Sequence, residues 1–489
     1  MLNLQNRSSK ISITITIDNK IGIPTTEIND TTLKQLENLF TFKNPAYGRA
    51  KAIAKSMGKH MTIKMPKEIR GWRLYKQELI LPRGRISSVL TYFDTIQQPY
   101  HIINNTRRLP PVDFQFNGKL RNTQIPAVQA ILSRKFNTLE APTGGGKTTM
   151  GIYSIAHRRQ PTCIIVHTNK LVDQWAERIA GSKDHPAFLD VPNDEIGYIR
   201  EGSVSIGKRI TIALVQTLIK HINEVYPFFG HVIVDECHHT PAVTFTKIIS
   251  KMDCAFMTGL SATHERRDGL TPLIYWYIGP LVYEVPLNKL VKEGEILLPE
   301  YIIKNTNFWP SKKIKNPSSQ WASLLGELTK NKGRNEQIVE DIILEIIGSG
   351  GTCLVLSDRK EHCNILTRML QTRNIQVAVA HSGIPKRERE GAMMALRYGD
   401  IKVLVATGNL IGEGFDEKAP TTLFLTCPIA FSSRLIQYLG RICRPGIDKK
   451  PTKVYDYCDV NVEVLTKAAA ERRRTYKKLL KLSMEPIKE

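Results

Sequence analysis

The chain has 489 residues, of which 42% are hydrophobic, and carries a formal net charge of +23 at pH 7. This length exceeds what one hydrophobic core usually organises, so we expect two large domains and a smaller third. The sequence has no run of 18 uncharged apolar residues, no apolar signal-peptide core and eight singly scattered cysteines. These features argue against a membrane span, a disulfide framework and a zinc site. We expect a soluble, intracellular protein whose positive charge favours a polyanionic partner.

Residues 1–105 differ in composition from the rest of the chain. They open with Ile11–Ile17, where isoleucine alternates with Ser or Thr as in a half-buried strand, and Leu33–Phe42 has the pattern of a short helix. We predict an α+β accessory domain whose basic surface contacts a sugar-phosphate backbone. A structural cap on the first large domain is the alternative. The basic residues concerned are Arg49, Lys51, Lys55, Arg83 and Arg85.

Two series of short apolar strands alternate with helical segments in the rest of the chain. The first lies near Thr162–Thr168, Arg209–Val215, Val232–Asp235, Cys254–Leu260 and Leu281–Val285. The second lies near Thr352–Ser357, Gln376–Ala380, Lys402–Ala406, Thr422–Cys427 and Lys453–Tyr457. Continuous apolar strands separated by helices are typical of parallel sheets covered on both faces. We therefore predict an α/β fold with two tandem lobes, at residues 106–295 and 296–489.

Two polar segments of the second half are predicted to lie at the surface. Residues 305–319 are basic and interrupted by prolines, which is typical of an exposed connecting loop or insertion. Residues 471–482 form a basic, partly amphipathic helix pattern, which we interpret as a solvated terminal helix.

A glycine-rich segment, Ala141–Thr148, follows the apolar run that begins at Phe136. Glycines let backbone N–H groups close around phosphate oxygens, Lys147 neutralises the outer phosphates, and Thr148 offers its hydroxyl to Mg²⁺. The other residues of this predicted phosphate loop are Thr143, Gly144, Gly145 and Gly146.

A second segment, His231–His238, is an apolar strand pattern that ends in the adjacent carboxylates Asp235 and Glu236. One carboxylate suits the coordination shell of a metal ion, and the other suits polarisation of an attacking water. The two segments together predict a nucleotide-hydrolysing site, with Thr148, Asp235 and Glu236 as the candidate Mg²⁺ ligands.

Three further motifs follow in order: Leu260–Thr263, Gly412–Asp416 and Gln437–Arg444. With the two segments above, they resemble the ordered signature of the superfamily 2 helicases over most of residues 118–446. Within that superfamily, Leu120–Gln124 and Ser261–Gly269 are similar to the XPB and UvsW group. The chain length and the accessory domain also resemble helicases of phages and large DNA viruses.

The resemblance implies two RecA-like lobes that bind ATP and Mg²⁺ in the cleft between them. It implies that Arg441 and Arg444 stabilise the transferring phosphoryl group and that His238 links the hydrolytic site to Ser261 and Thr263. Gln124, with Arg121 beside it, resembles the residue that reads the adenine edge, although solvation on a helix surface is an alternative and Gln129 lies close by. Gly414 and Asp416 resemble positions that approach the ribose and phosphates.

The resemblance also implies nucleic-acid contacts at strand ends, where hydroxyl and amide groups hold phosphates without reading bases. The residues are Thr168, Gln216, Thr217, Arg266 with Asp268, Arg359 and Thr407. Loop capping is the alternative for the polar residues among them. Tyr438 stands where many members of the superfamily carry Arg, which weakens the prediction of a third basic contact in that motif.

The resulting hypothesis is an ATP-dependent DNA helicase or translocase that unwinds or remodels DNA, moving 3′ to 5′, with roles in repair or recombination. Its substrates would be single-stranded, duplex or branched DNA, and its location the cytoplasm, the nucleus or a virus-infected cell. The alternatives are a transcription-associated ATPase that releases transcripts and an RNA helicase. Proteins of replication, repair or transcription are the expected protein partners.

Overall fold

A computed structural model describes most of the chain. The described residues are 12–56, 63–183, 185–238, 242–262, 266, 268–312, 314, 317–408, 420–428, 435, 438–439 and 452–484. The chain divides into two compact units, of which the first comprises Met1–Ala141 and Gly146–Glu284 and the second Pro142–Gly145 and Val285–Glu489. The boundaries predicted at residues 105 and 295 stay predictions. Within the described ranges, no helix is long and apolar enough to cross a membrane.

The N-terminal part of the first unit contains a five-stranded sheet, a separate two-stranded sheet and three helices among its described residues. The strands are β1 (Ile13–Ile17), β2 (Ile21–Pro24), β3 (Thr41–Lys43), β4 (Glu68–Arg70), β5 (Arg73–Tyr75), β6 (Glu78–Leu81) and β7 (Tyr100–Asn104). The helices are α1 (Asp30–Leu39), α2 (Pro45–Ser56) and α3 (Ile86–Thr95). The larger sheet has the order β5-β6-β2-β1-β7, and β3 pairs with β4. The predicted α+β character and first strand are confirmed, while Ile11 lies outside the described residues. The helix predicted over Leu33–Phe42 is present but ends at Leu39, and Thr41 and Phe42 belong to β3.

The rest of the first unit is a doubly covered, mainly parallel sheet. Its strands are β8 (Phe136–Glu140), β9 (Thr162–Val166), β10 (Gly197–Arg200), β11 (Ser203–Val204), β12 (Ile210–Leu214), β13 (His231–Val234), β14 (Phe256–Ser261) and β15 (Leu281–Glu284). Its helices are α4 (Ile125–Leu132), α5 (Lys147–Arg158), α6 (Asn169–Ala180), α7 (Val215–Val225), α8 (Ala242–Ile249) and α9 (Thr271–Tyr277). The sheet order is β11-β10-β12-β9-β13-β14-β8-β15, and only the β10–β11 pair of the described strands is antiparallel.

The second unit is built on a parallel sheet of six described strands. These are β16 (Glu300–Thr306), β17 (Cys353–Ser357), β18 (Val377–Ala380), β19 (Val403–Thr407), β20 (Thr422–Leu425) and β21 (Lys453–Asp459), in the order β16-β21-β20-β17-β19-β18. The helices are α10 (Leu287–Lys292), α11 (Pro317–Lys330), α12 (Lys332–Ser349), α13 (Lys360–Gln371), α14 (Lys386–Tyr398) and α15 (Glu463–Met484). The prediction of an α/β fold with two tandem parallel sheets is confirmed.

The two predicted surface segments of this unit are more structured than expected. Residues 305–306 complete β16 and residues 317–319 begin α11, and between them Phe308 is buried against Leu324 and Leu328. The isolated apolar residue of a polar stretch gave no periodic signal. The prediction of a solvated terminal helix is wrong, because Arg472 on α15 is 3% exposed and donates two hydrogen bonds of 2.9 Å from Nε to Asp456.

The N-terminal sheet and the larger sheet of the first unit share one hydrophobic core. Trp276, on α9 of the larger sheet, packs with Phe40 and Phe42 of the N-terminal part at ring-centroid distances of 5.8 and 5.2 Å. Glycine is needed at position 71, since a Cβ atom there would come within 2.7 Å of the Trp276 ring. The N-terminal part therefore packs against the larger sheet as an integral part of the first unit.

Arg83 is buried in the same interface between the N-terminal part and the larger sheet. Its side chain is 1% exposed, and Nη1 donates to the carbonyl oxygens of Asp18 at 3.0 Å and Cys254 at 2.9 Å. The guanidinium group also lies 4.6 Å from the centroid of the Phe136 ring. The prediction that Arg83 belongs to a DNA-contacting surface is wrong, because a buried guanidinium that binds two internal carbonyls cannot reach a phosphate outside.

The cysteines agree with the prediction of reduced core thiols. In the described ranges Cys163, Cys237, Cys254, Cys353, Cys363, Cys427 and Cys458 are all free and buried. Burial is the main cause that raises the pKa of each of these thiols. Cys443 lies outside the described residues.

We predict that Trp276→Ala lowers the free energy of unfolding by about 3–5 kcal/mol, since it removes a large aromatic side chain from the shared core. The matched control is Trp309→Ala, because Trp309 is 65% exposed and its loss should change stability by no more than about 0.5 kcal/mol. Urea unfolding followed by circular dichroism measures both. Equal losses in the two variants would show that the N-terminal part does not depend on Trp276.

Candidate nucleotide site

The phosphate loop predicted from the sequence connects β8 to α5. Gly144 and Gly146 have φ angles of +93° and +80°, which residues with a Cβ atom rarely adopt. A Cβ atom at Gly146 would also lie 2.0 Å from Nε2 of Gln124. The loop ends at the N-terminus of α5, whose backbone N–H groups and helix dipole favour an anion. The local backbone therefore suits the phosphates of a nucleotide.

Lys147 is the first residue of α5 and forms an ion pair with Glu236. Its Nζ atom lies 3.1 Å from Glu236 Oε1 and donates to the carbonyl oxygen of Ala141 at 3.4 Å. The two side chains are only 11% and 19% exposed, so the pair is weakly screened by solvent. An incoming phosphate would compete with Glu236 for the ammonium group.

Asp235 and Glu236 follow β13, as predicted, and their environments differ. Asp235 is buried and accepts a 2.8 Å hydrogen bond from the indole Nε1 of Trp175. Burial and the neighbouring Glu236 charge raise the pKa of Asp235, while Lys147 and the Trp175 N–H act in the opposite direction. Glu236 has a φ angle of +44°, so its backbone is held in a conformation that residues other than glycine seldom adopt. A strained residue at this position points to a functional constraint.

His238 and Ser261 connect this carboxylate to the neighbouring strand. Nδ1 of His238 lies 2.8 Å from Ser261 Oγ and 3.4 Å from Glu236 Oε2. The backbone N–H of Ala262 donates to Glu236 Oε2 at 3.3 Å. The structure thus brings His238 and Ser261 together as the resemblance implied. Thr263, the other residue of that implied link, lies outside the described residues.

Gln124 is buried beside the phosphate loop. It is 1% exposed, and its Oε1 accepts a hydrogen bond from the backbone N–H of Arg121 at 3.0 Å. This burial rules out solvation on a helix surface as the explanation for Gln124, whereas Gln129 is exposed. Contact of Gln124 and Arg121 with an adenine base stays a prediction.

The donor set suits a magnesium ion that is shared with phosphates. Thr148 and Asp235 offer a hydroxyl and a carboxylate, the oxygen ligands that Mg²⁺ takes together with substrate phosphates and water. Among the described residues, there is no group of three or more His, Cys, Asp and Glu side chains that could hold a metal ion without further ligands. Because Glu236 Oε1 pairs with Lys147, the geometry favours Asp235 over Glu236 as the carboxylate ligand.

The predicted nucleic-acid contacts of the larger sheet in the first unit lie at its carboxyl edge. Thr168 follows β9 and caps α6, with its Oγ1 accepting from the N–H of Leu171 at 3.3 Å. Gln216 is exposed at the start of α7 and its Nε2 donates to the carbonyl oxygen of His167 at 3.3 Å, and Thr217 is the next residue. The capping role of Thr168 is observed, and contact of all three with a nucleic acid stays a prediction.

Arg266 is placed differently from those three residues. It is 8% exposed, and its Nε and Nη2 donate to the two carboxylate oxygens of Asp268 at 3.1 and 2.7 Å. This bidentate pair fixes the turn before α9 and gives the predicted nucleic-acid contact no support. In the second unit, Arg359 is the N-cap residue that precedes α13 and Thr407 ends β19, both partly exposed at the carboxyl edge.

Several predicted residues fall outside the part of the chain that the structure describes. They are Gly414 and Asp416 of the implied ribose and phosphate contacts, and Arg441 and Arg444, which the resemblance implies stabilise the transferring phosphoryl group. Their roles stay predictions. Tyr438, where many members of the superfamily carry Arg, is buried.

Trp175 is a site residue that the sequence analysis missed. It lies on α6 and reaches Asp235 past Gly151 of α5, where a Cβ atom would come within 2.9 Å of the Trp175 ring. A tryptophan on an amphipathic helix has the sequence pattern of a core residue, so no signal distinguished it.

We predict that Trp175→Phe lowers Mg²⁺-dependent nucleotide hydrolysis by about 10- to 100-fold, since it removes the hydrogen bond that orients a metal-binding carboxylate. The matched control is Trp72→Phe, which removes a 2.9 Å bond from Nε1 to Thr41 Oγ1 in the N-terminal part. Hydrolysis rates titrated with Mg²⁺ compare the two. The same Mg²⁺ dependence in both variants would assign Trp175 a purely structural role.

Comparisons with known proteins agree with this geometry. A family profile described as the type III restriction enzyme res subunit matches residues 117–266, and one described as the helicase conserved C-terminal domain matches residues 336–446. The first match contains the phosphate loop, Asp235, Glu236 and Ser261, and the second lies within the second unit. The two profiles thus follow each other along the chain in the same order as its two parallel sheets.

Among similar proteins, the chain is 24% identical over 401 residues to a putative ATP-dependent RNA helicase of Acanthamoeba polyphaga mimivirus, covering 79% of this chain and 73% of the relative. It is 26% identical over 388 residues to the DNA 3′–5′ translocase XPB2 of Sulfurisphaera tokodaii, covering 73% and 83%. It is 21% identical over 414 residues to the ATP-dependent DNA helicase uvsW of enterobacteria phage T4, covering 79% and 81%.

These relatives span most of the chain, so the likeness includes both parallel sheets and is not limited to the phosphate loop. A phosphate loop alone occurs in many nucleotide-binding proteins, whereas here a helicase C-terminal profile follows the profile that contains the loop. The chain belongs to the superfamily 2 helicases, in the group of XPB and UvsW, and is an ATP-dependent enzyme of nucleic acids.

Proposed function

We propose that the chain is a DNA translocase or helicase that hydrolyses ATP with Mg²⁺ and moves 3′ to 5′ on its substrate. The observation that carries the proposal is the path of polar contacts from Lys147 through Glu236 and His238 to Ser261. This path joins the end of the phosphate loop to Ser261, the last residue of β14. Through these contacts, a phosphate that binds at Lys147 would change the position or hydrogen bonding of Ser261, and a shift of Ser261 would act on Lys147.

The Lys147–Glu236 pair supports a switch in the role of Glu236. A γ-phosphate bound at Lys147 would take over the ammonium group and leave Glu236 Oε1 able to accept a proton from the attacking water. Glu236 Oε2 stays tied to the Ala262 N–H and near His238, so the carboxylate keeps its orientation. When bound, Mg²⁺ supplies positive charge that stabilises the phosphoryl oxygens.

Helix α6 supports a connection between the nucleotide site and the predicted nucleic-acid contacts at the carboxyl edge, which we call the track and which include Thr168, Gln216 and Thr217. Its N-terminal cap is Thr168, a predicted backbone contact, and two turns later Trp175 donates to Asp235. A rigid helix that carries both residues would transmit a shift at the track to the metal-binding carboxylate. Hydrolysis that depends on nucleic acid is the expected result.

DNA and the 3′ to 5′ direction are proposed from charge and relatives. The net charge of +23 favours a polyanion of either kind. The translocase relative from Sulfurisphaera tokodaii is named for DNA and for this direction, and the phage T4 relative is named for DNA. RNA is the second candidate, because the mimivirus relative is named as an RNA helicase.

We predict that Glu236→Gln lowers ATP turnover at least about 100-fold while ATP still binds, since it removes the general base but keeps the side-chain shape. Glu201→Gln is the control, because Glu201 is an exposed glutamate of the same sheet region. Lys147→Ala should lose both binding and turnover, and Arg444→Ala turnover, as the resemblance implies. A Glu236→Gln variant that keeps more than about a tenth of the wild-type kcat would remove Glu236 from catalysis.

We predict that single-stranded DNA stimulates the ATPase more than RNA does, and that its binding weakens steeply with salt. Five or more phosphate contacts give a log–log slope of about 3.5 or steeper, from roughly 0.7 per phosphate on a single strand. ATPase assays with single-stranded DNA, duplex DNA and RNA, and anisotropy titrations over a range of salt, measure both. Stronger stimulation by RNA would favour the second candidate, and a slope near one would contradict a backbone-directed track.

A further inference from the structure

The amino edge of the larger sheet in the first unit carries a cluster of basic side chains that the proposed function does not use. We name it the amino-edge cluster, and its members are Arg108, Arg134, Lys135 and Arg158. Arg134 and Lys135 precede β8, and Arg158 ends α5 just before β9. The phosphate loop and Ser261 lie at the opposite, carboxyl edge. Since β14 has six residues at about 3.3 Å each, the two edges are about 17 Å or more apart.

Two guanidinium groups of this cluster share one phenyl ring. The guanidinium carbons of Arg158 and Arg108 lie 4.3 and 5.4 Å from the centroid of the Phe256 ring. Burial, with a further contribution from the charge of Arg108, lowers the pKa of Arg158 to about 10. Like charges held this close in a folded protein raise the local positive potential and favour an anion.

Two acidic side chains near this edge are already paired with other arginines. Asp253 accepts from Arg107 through both oxygens, at 3.0 and 2.7 Å, and Asp113 pairs with Arg159. Among the described residues, no ion pair is recorded for any member of the amino-edge cluster. Arg134 donates from Nη1 to Ser87 Oγ at 3.1 Å, a neutral partner, so its charge is not compensated there.

Arg158 has a structural role that separates it from the other three members. Its Nη2 donates to the carbonyl oxygens of Ile131 at 2.8 Å and Arg134 at 2.6 Å, which caps the end of α4. Its buried Nε has no hydrogen-bond partner among the described residues. Arg108, Arg134 and Lys135 are exposed and are free to meet a ligand.

The chemistry of the cluster selects a phosphate backbone and not unpaired bases. Phe256 is 5% exposed and lies under two guanidinium groups, so it offers no platform on which a base could stack. Arginine and lysine heads alone suit the phosphates of a duplex, whose bases are paired inward. A duplex presents these phosphates on its outside along its whole length.

We propose that the amino-edge cluster binds the sugar-phosphate backbone of a duplex arm that leaves the track at the carboxyl edge. The proposal rests on the proposed function, because the track supplies the nucleic acid whose duplex arm reaches the cluster. It gives the enzyme a second grip, on the opposite edge of the same sheet, and therefore a preference for forked or branched substrates over a single strand.

The test compares a forked DNA with the single strand of its tail alone, by fluorescence anisotropy without nucleotide. The neutralised variant is Arg108→Gln/Arg134→Gln/Lys135→Gln. The control Lys183→Gln/Lys247→Gln/Lys332→Gln makes the same change of net charge at exposed lysines elsewhere. The charge-retaining variant is Arg108→Lys/Arg134→Lys/Lys135→Arg, and circular dichroism checks the folding of all three.

We expect the neutralised variant to bind the fork at least about tenfold more weakly and to lose about 2 to 3 from its log–log salt slope, at roughly 0.9 per phosphate of a duplex. Single-strand affinity, the control variant and the charge-retaining variant should match the wild type. Equal losses for fork and single strand would place the residues on the track and overturn the proposal, as would no loss or an equal loss in the control.

Failure of the proposed function has a different signature. The neutralised variant should keep ATP hydrolysis stimulated by single-stranded DNA, because none of the three residues lies in the nucleotide site. Wild-type protein whose hydrolysis no nucleic acid stimulates would contradict the proposed function itself. Normal stimulation with unchanged fork binding would overturn only the amino-edge proposal.

Discussion

Parallel pairing of β8, β14 and β13 is the constraint on which the nucleotide site depends. Ser261 is in register with Glu140, and Val234 with Gly259, so the three strands end at one edge. The ladder continues past the strand ends, where Ala141 donates to the Ser261 carbonyl at 3.0 Å and Cys237 to the Leu260 carbonyl at 3.1 Å. These bonds set the phosphate loop, the carboxylates and the Ser261 motif side by side before any side chain interacts.

The polar contacts of the site are a consequence of that register. Once the three chain segments lie together, short side chains such as Ser261 and Glu236 can meet without long-range adjustment. The buried setting then gives each charge a high energetic weight, because a carboxylate removed from water must be paired or neutralised. Lys147 pairs with Glu236, and Trp175 donates to Asp235. Burial removes these charged groups from water, which costs free energy when no nucleotide is bound. The same lack of solvent screening makes the charges respond strongly to a phosphate that binds beside them.

Most of the architecture could be predicted from the sequence, for a physical reason. Strands such as β13 and β17 are buried on both faces, so every residue is apolar or nearly so and the run stands out. The strands β10 and β11 were missed, because β10 alternates buried and half-buried residues over four positions and β11 has only two. The loop and the carboxylates were found because their chemistry requires particular residue types at fixed spacing.

Residues whose roles depend on distant partners could not be predicted. Arg83 has the sequence context of a surface cation, yet it is buried and donates to the carbonyl oxygen of Cys254, which lies 171 positions away in the sequence. Arg266 has the same ambiguity, which only the bidentate contact with Asp268 resolves. Charge in a sequence states what a side chain can bind, whereas burial decides whether it binds solvent, ligand or the protein itself.

The buried contacts of Trp276 and Arg83 between the N-terminal part and the larger sheet limit which segments related proteins can exchange by recombination. A module that recombines freely must carry its own core and leave a polar surface behind. Here, a crossover between the two sheets of the first unit would expose an indole and remove the Cys254 carbonyl that accepts from the buried Arg83 guanidinium. The N-terminal part and the sheet beneath it are therefore expected to be inherited together, with changes at positions 71 and 276 constrained to occur in step.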